Sequence, residues 1–148
     1  MREIIMRDIS NRTKAVTCQD AKAFTADSNG TTVDRQGFDS VMFVVNSGIE
    51  GVTLSGSVKF DFILEESTDD STWTAVTSST SVTEGTVDSS GIFLTLDANG
   101  ETPQTSQIGY IGGNQYVRVK IDATGSMATG TPISVQAILG NPIDSTDA

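Results

Sequence analysis

Apolar and polar residues alternate with a period of two along much of this sequence. In residues 58–65, Val58, Phe60, Phe62 and Leu64 fall on one face of an extended chain, and charged residues lie between them. Residues 117–122 and 133–139 repeat the pattern, whereas helical periodicity is hard to find. Such alternation is typical of half-buried strands, so it predicts an all-β fold with little helix.

Short turn sequences such as Asn29-Gly30, Ser47-Gly48 and Asn99-Gly100 separate the predicted strands. The length of 148 residues suits one domain. We therefore predict an antiparallel β-sandwich over residues 37–142, with a jelly roll as a candidate topology. Residues 143–148 are expected to form a flexible C-terminal tail.

Residues 1–36 lack a strong core pattern and are expected to form an extended N-terminal arm. They hold six basic and five acidic residues, a net charge of +1, while residues 37–148 hold three basic and 14 acidic residues, a net charge of −11. We predict that Ile4, Ile5, Met6 and Ile9 anchor the arm to a partner by strand addition. The alternative left open is that the arm adds an edge strand to its own sandwich.

Residues 40–45 are apolar on both faces of the predicted strand. Val41, Phe43 and Val45 share one face, and Met42 and Val44 share the other. Both faces should therefore be covered, either by a second sheet plus the N-terminal arm or by a neighbouring subunit. We predict that Met42 and Val44 contact a neighbouring subunit.

The composition excludes several kinds of chemistry. The chain has no histidine and a single cysteine, Cys18, so catalytic Ser-His-Asp and Cys-His arrangements and an intrachain disulfide are excluded. The acidic body repels nucleic acid and anionic membranes, because phosphate binding needs clustered Lys and Arg. We expect no enzyme activity, no cofactor, no metal, and neither nucleic acid nor membrane as a partner.

The stretch FDFILEESTDDSTWTAV, residues 60–76, places four carboxylates just before the only tryptophan, Trp73. It lacks the ligand spacing and the glycine of a calcium loop. Glu65 and Glu66 would point to opposite faces of a strand, which argues against a catalytic pair. We predict a solvated hairpin loop, with Trp73 packed in the core rather than exposed to bind a sugar. Arg118 or Lys120 should lie beside a carboxylate such as that of Glu65.

Four runs carry a resemblance to a known group of proteins. They are GFDSVMFVVNSG at residues 37–48, LEESTDDSTWTAV at 64–76, IGYIGGNQYVRVKI at 108–121 and AILGNP at 137–142. Together they resemble small β-sandwich virion proteins of tailed bacteriophages, similar in size and character to capsid decoration, or cement, proteins. That group has no catalytic residues to carry over to this chain.

The resemblance implies a structural protein on the capsid surface of a virion, made in the cytoplasm of a bacterial host. Its partners would be the major capsid protein or other virion proteins. A homo-oligomer is expected, with a trimer matching the three-fold positions of an icosahedral shell. A phage tail or head–tail connector component is the alternative within phages, and a carbohydrate-binding β-sandwich module is the alternative outside them.

Overall fold

The computed structural model describes residues 9–143, so the predicted anchors Ile4, Ile5 and Met6 lie outside the described residues. Single 3₁₀ turns occur at Ser10–Arg12 and Ser79–Ser81. The strands are, in chain order, β1 (Lys14–Phe24), β2 (Val33–Asp34), β3 (Phe38–Ser47), β4 (Lys59–Ser67), β5 (Thr74–Ala75), β6 (Val82–Thr83), β7 (Ile92–Leu96), β8 (Gln104–Tyr110), β9 (Tyr116–Thr124) and β10 (Thr131–Pro142).

The strands form two sheets, and every pairing is antiparallel. The first sheet has the order β1-β10-β3-β8-β6. The second has the order β2-β9-β4-β5, and β7 also pairs with β4. The prediction of an antiparallel β-sandwich is thereby confirmed.

The alternating side chains of the two sheets build one core between them. Phe60, Phe62 and Leu64 of β4 are fully buried, as their spacing predicted. Val41, Phe43 and Val45 of β3 face them from the first sheet, together with alternate residues of β8 and β10. Burial of these side chains contributes roughly 1.5–3 kcal/mol each and is the main source of stability.

The expected arm at residues 1–36 requires a correction from Lys14 onward. Residues 14–24 form the edge strand β1, which pairs with β10, and Cys18, Phe24 and Val33 belong to the core. The register of β1 shifts twice, between Thr17 and Gln19 and between Gln19 and Lys22. Residues 14–24 thus follow the alternative in which the arm adds an edge strand to its own sandwich, and because the shifts break the period-two pattern, the sequence did not give the bounds of that strand.

Cys18 and Gln19 link β1 of the first sheet to β9 of the second. The Val119 amide donates a hydrogen bond to the Cys18 sulfur at 3.3 Å, and the Gln19 side-chain amide donates to the Val119 carbonyl at 2.9 Å. The Gln19 oxygen in turn accepts from the Ser28 hydroxyl at 2.7 Å. Burial raises the pKa of the Cys18 thiol to about 11. The one cysteine therefore helps to close a side of the sandwich and is held as a thiol.

Candidate interaction surfaces

Met42 and Val44 lie on the outward face of β3, half-buried in the first sheet. On the neighbouring strand, Ile138 stands directly beside Met42, and Gln136 beside Val44. Cross-strand partners point to the same side of a sheet, so these four side chains form the middle of one surface. The prediction that Met42 and Val44 contact another subunit is not tested by a single chain.

Within residues 9–143, the outward positions around Met42 and Val44 carry no ionisable side chain, and Lys22 of β1 lies at their edge, next to Asn46 and Ser134. We call this surface the uncharged face and define it by the outward positions of β1, β10, β3 and β8 that are joined by strand register. These are Ala15, Thr17, Ser40, Met42, Val44, Asn46, Thr105, Gln107, Gly109, Ser134, Gln136, Ile138 and Gly140. The outward position of Ile138 followed from the alternation in β10, whereas Ala15 and Gly109 gave no signal in the sequence.

Residues 9–143 contain four exposed large hydrophobic residues, and three of them lie just outside the strands at one end of the first sheet. Lys14, Leu139, Val41 and Tyr110 form one cross-strand row. Ile9 (70% exposed), Ile111 (49%) and Ile143 (59%) all lie beyond that row along their strands. We call these three residues the apolar end. The fourth, Ile49 (72% exposed), follows the opposite end of β3.

The outward face of the second sheet is charged. Arg118 and Glu65 are cross-strand partners, and their Nε and Oε2 atoms are 2.7 Å apart. This confirms the predicted pairing of a strand cation with a hairpin acid. Lys59 forms a second pair with Asp61 at 2.9 Å.

Asp61 and Asp122 are directly opposite each other on β4 and β9. The pKa of Asp122 is raised by partial burial and by the neighbouring carboxylate of Asp27, and only in part relieved by Lys120. Like charges in this position are unfavourable for the folded state. This face of the sandwich is therefore suited to solvent, in contrast to the uncharged face.

The acidic stretch forms the loop between β4 and β5. Asp69 accepts hydrogen bonds from the amides of Ser71 at 2.9 Å and Thr72 at 2.8 Å and from the Ser67 hydroxyl at 2.9 Å. These donors hold the pKa of Asp69 well below its usual range. Asp70 accepts from the Thr32 hydroxyl at 2.6 Å. The acids thus order a turn, and within residues 9–143 no group of three potential metal-ligating side chains converges.

Trp73 lies outside the core, so the prediction that it packs in the core is wrong. It is half-buried, and the Arg118 guanidinium stacks on its ring at 4.1 Å from the ring centroid. Arg118 is thus held between an aromatic ring and the Glu65 carboxylate. The guanidinium occupies one face of the Trp73 ring, so that face is not open to a ligand.

Tyr110 forms a connection between the sheets that the sequence did not indicate. This fully buried residue of β8 donates its hydroxyl to Glu66 of β4, and the hydroxyl accepts from the Asn114 amide at 3.1 Å. Burial, followed by the hydrogen bond to Glu66, raises the pKa of Tyr110 to about 12. Arg35 lies over the Tyr110 ring, 5.1 Å from its centroid. Together these contacts fix the loop between β8 and β9.

Comparison with known proteins identifies a fold but no family. No model of a protein family matches the chain, and neither does any curated protein sequence. The chain is similar in structure to the SPBc2 prophage-derived protein YomS, with a TM-score of 0.50 and 16% sequence identity. The match covers 86% of this chain and 91% of YomS. Separately, no helix within residues 9–143 is long and apolar enough to cross a membrane.

Proposed function

We propose that this protein is a structural component of a tailed-phage virion, and specifically a decoration protein that binds the outer surface of the head and stabilises it. The observation that carries the proposal is the fold shared with a prophage-derived protein over most of both chains. The acidic sandwich with a rigid core also suits a protein that must stay soluble and then adhere. We propose no catalytic role.

The strand arrangement supports the jelly roll as the topology of the β-sandwich. Apart from the short β5 and β6, the strands form the rows β1-β10-β3-β8 and β2-β9-β4-β7. Chain neighbours such as β1 and β2, β3 and β4, and β9 and β10 lie in opposite sheets. An eight-stranded double sheet with this alternation is the arrangement expected of a jelly roll.

We assign shell binding to the apolar end. Exposed isoleucines are the side chains of the described surface that gain most from burial against the major capsid protein or another virion protein. The N-terminal segment predicted to anchor the protein, with Ile4, Ile5 and Met6, enters the described structure at Ile9, at this same end. We propose the trimer only for copies bound at three-fold positions of a shell, and not for the free protein.

The aromatic residues favour a virion role over the carbohydrate-binding alternative. Tyr110 is fully buried, and Trp73, Phe93 and Tyr116 are half-buried. Phe93 packs 6.3 Å from Phe62, and Arg118 covers one face of Trp73. A sugar site needs two or three exposed aromatic side chains on one surface, and none of these four is fully exposed, which supports the virion role over the carbohydrate-binding alternative.

The test is co-sedimentation of the purified protein with phage heads prepared from a genome that lacks its gene. We expect saturable binding and an increase in the temperature at which the heads release DNA. Ile143→Asp should weaken binding, whereas Ile49→Asp, the same change at the opposite end, should not. Absence of binding to heads, with binding to tails or connectors instead, would replace the decoration role with the tail or connector alternative.

A further inference from the structure

The distribution of charge over the two outer faces is unequal. On the second sheet, the outward positions of β4 and β9 include the ion pairs Lys59–Asp61 and Glu65–Arg118. On the first sheet, the uncharged face contains no ionisable residue at all, although the chain has a net charge of −10. Its middle row is Ala15, Ile138, Met42 and Gly109, all of them apolar or without a side chain.

We propose that the uncharged face packs against the same face of a second copy of this chain. Two copies that each carry a charge of −10 repel one another wherever acidic surfaces meet within a Debye length of roughly 8–10 Å. Contact through the uncharged face keeps the charged outer faces of the second sheets on the far sides of the pair. A partner with a basic surface would instead bind the acidic regions. The charge pattern therefore favours a second copy of this chain as the partner of the uncharged face.

The side chains of the face suit packing of one sheet upon another. Gly140 leaves its backbone partly accessible, and Met42 can adjust its three rotatable bonds to an imperfect neighbour. Gly109 is itself buried under the uncharged side chain of Thr83 from β6, which lies beside it. The polar residues Gln136, Gln107 and Thr17 can exchange hydrogen bonds across a two-fold axis without bringing charges together. Facing sheets would then lie about 10 Å apart, as in a sandwich core.

The size of the face sets the strength of the contact. Four strands about 4.8 Å apart, over seven residues that rise about 3.4 Å each, give about 450 Å² per copy. Two copies would bury about 900 Å², below the roughly 1,200 Å² of a standard stable interface. We therefore expect a reversible dimer with a dissociation constant on the order of micromolar or weaker. This dimer of the free protein does not depend on the proposed phage role.

The experiment is sedimentation velocity of the full chain from micromolar to millimolar concentration. We expect a monomer–dimer equilibrium that strengthens with added salt, because salt screens the repulsion between the two bodies. Gln136→Glu and Met42→Glu should each weaken the dimer by at least tenfold. Ile63→Glu, which adds the same charge beside Lys120 on the outward face of the second sheet, should not.

Gln136→Glu is chosen so that loss of the dimer cannot be attributed to misfolding. Its side chain is nearly isosteric with that of Gln136 and still accepts the hydrogen bond from Thr17. Circular dichroism and urea unfolding will confirm that each variant is folded. A monomer at millimolar concentration, a trimer, or equal effects of Gln136→Glu and Ile63→Glu would overturn the inference. Head binding by a protein that does not dimerise would leave the proposed function standing and remove this inference alone.

Discussion

The hydrogen bond between Tyr110 and Glu66 offers a direct test of what joins the two sheets. Tyr110→Phe keeps the buried ring and removes only the hydroxyl, which donates to Glu66 and accepts from the Asn114 amide. A hydrogen bond to a charged group contributes roughly 1.5–3 kcal/mol to the free energy of unfolding. Because Glu66 is half-buried and water can hydrate it in the variant, we expect a loss near the lower end, about 1.5 kcal/mol.

Urea unfolding followed by the fluorescence of Trp73 measures this loss. With a dependence of about 2 kcal/mol per molar urea, the unfolding midpoint should fall by somewhat under 1 M. Tyr116→Phe is the matched control, because the Tyr116 hydroxyl forms no hydrogen bond with any residue in 9–143. Its midpoint should stay within about 0.3 M of wild type.

The pH dependence of stability tests whether the Tyr110 hydroxyl causes the difference between wild type and Tyr110→Phe. The pKa of Tyr110 rises on folding from 10.0 to about 12, so the folded state retains this proton more strongly than the unfolded state does. The stabilisation is therefore fully present below pH 10 and is lost as the pH rises through about 12. The difference between wild type and Tyr110→Phe should shrink over that window. Equal stabilities at pH 8, or a difference unchanged up to pH 11.5, would refute this account.

Substitutions at Arg118, Asp122 and Asp69 test the second sheet and its hairpin. Arg118→Ala should lower the free energy of unfolding by about 1–2 kcal/mol in urea titrations, since it removes both the ion pair with Glu65 and the stacking on Trp73. Lys120→Ala, the control on the same strand, should lower it by less than about 0.5 kcal/mol. Asp122→Asn should raise the free energy of unfolding by about 0.2–1 kcal/mol at pH 7, because partial burial and then the neighbouring Asp27 carboxylate raise the pKa of Asp122 and disfavour its charged form in the folded state. The gain should disappear below about pH 4, where the carboxyl is protonated in both states. Asp69→Ala should lower the Tm more than Asp69→Asn at neutral pH, because Asn keeps an oxygen that can accept the turn hydrogen bonds. The difference in Tm between each variant and wild type should shrink in acid, as Asp69 becomes protonated in the unfolded state. If millimolar calcium raised the Tm of wild type by several degrees, Asp69 would serve a metal site and not only the turn.

The sandwich was predictable wherever the strands are regular. In β9 and β10 buried and outward positions alternate regularly, and in β4 the apolar residues Phe60, Phe62 and Leu64 alternate although Asp61 is buried as well, so the pattern gave both the strand and its core-facing residues. In β1 the same physical rule applies, but two register shifts place the buried residues Cys18 and Gln19 next to each other. A period-two pattern cannot reveal such a strand, because the bulges that interrupt it depend on contacts with β9 made only in the fold.

The candidate surfaces, too, could be predicted from the sequence only in part. Met42 and Val44 stood out because both faces of their strand are apolar, and the structure adds Ile138 beside Met42. The absence of charge across four strands could not be read from the sequence, because Ala15 and Gly109 join the surface only through strand register. Trp73 was misplaced for a related reason: its direction is set by the turn that Asp69 orders, and not by strand alternation.

The proposed dimer and the proposed shell binding are linked by the geometry of the sandwich. A two-fold axis between two facing sheets lies in the plane of their contact, either along the strands or across them. With the axis along the strands, both copies present Ile111 and Ile143 in the same direction, and one shell surface can bind both apolar ends. With the axis across the strands, the apolar ends point in opposite directions, and each dimer offers only one of them. Since linking two weak sites can raise overall affinity by roughly 10²–10⁴ without any new contact, only the first arrangement lets the dimer strengthen its own attachment.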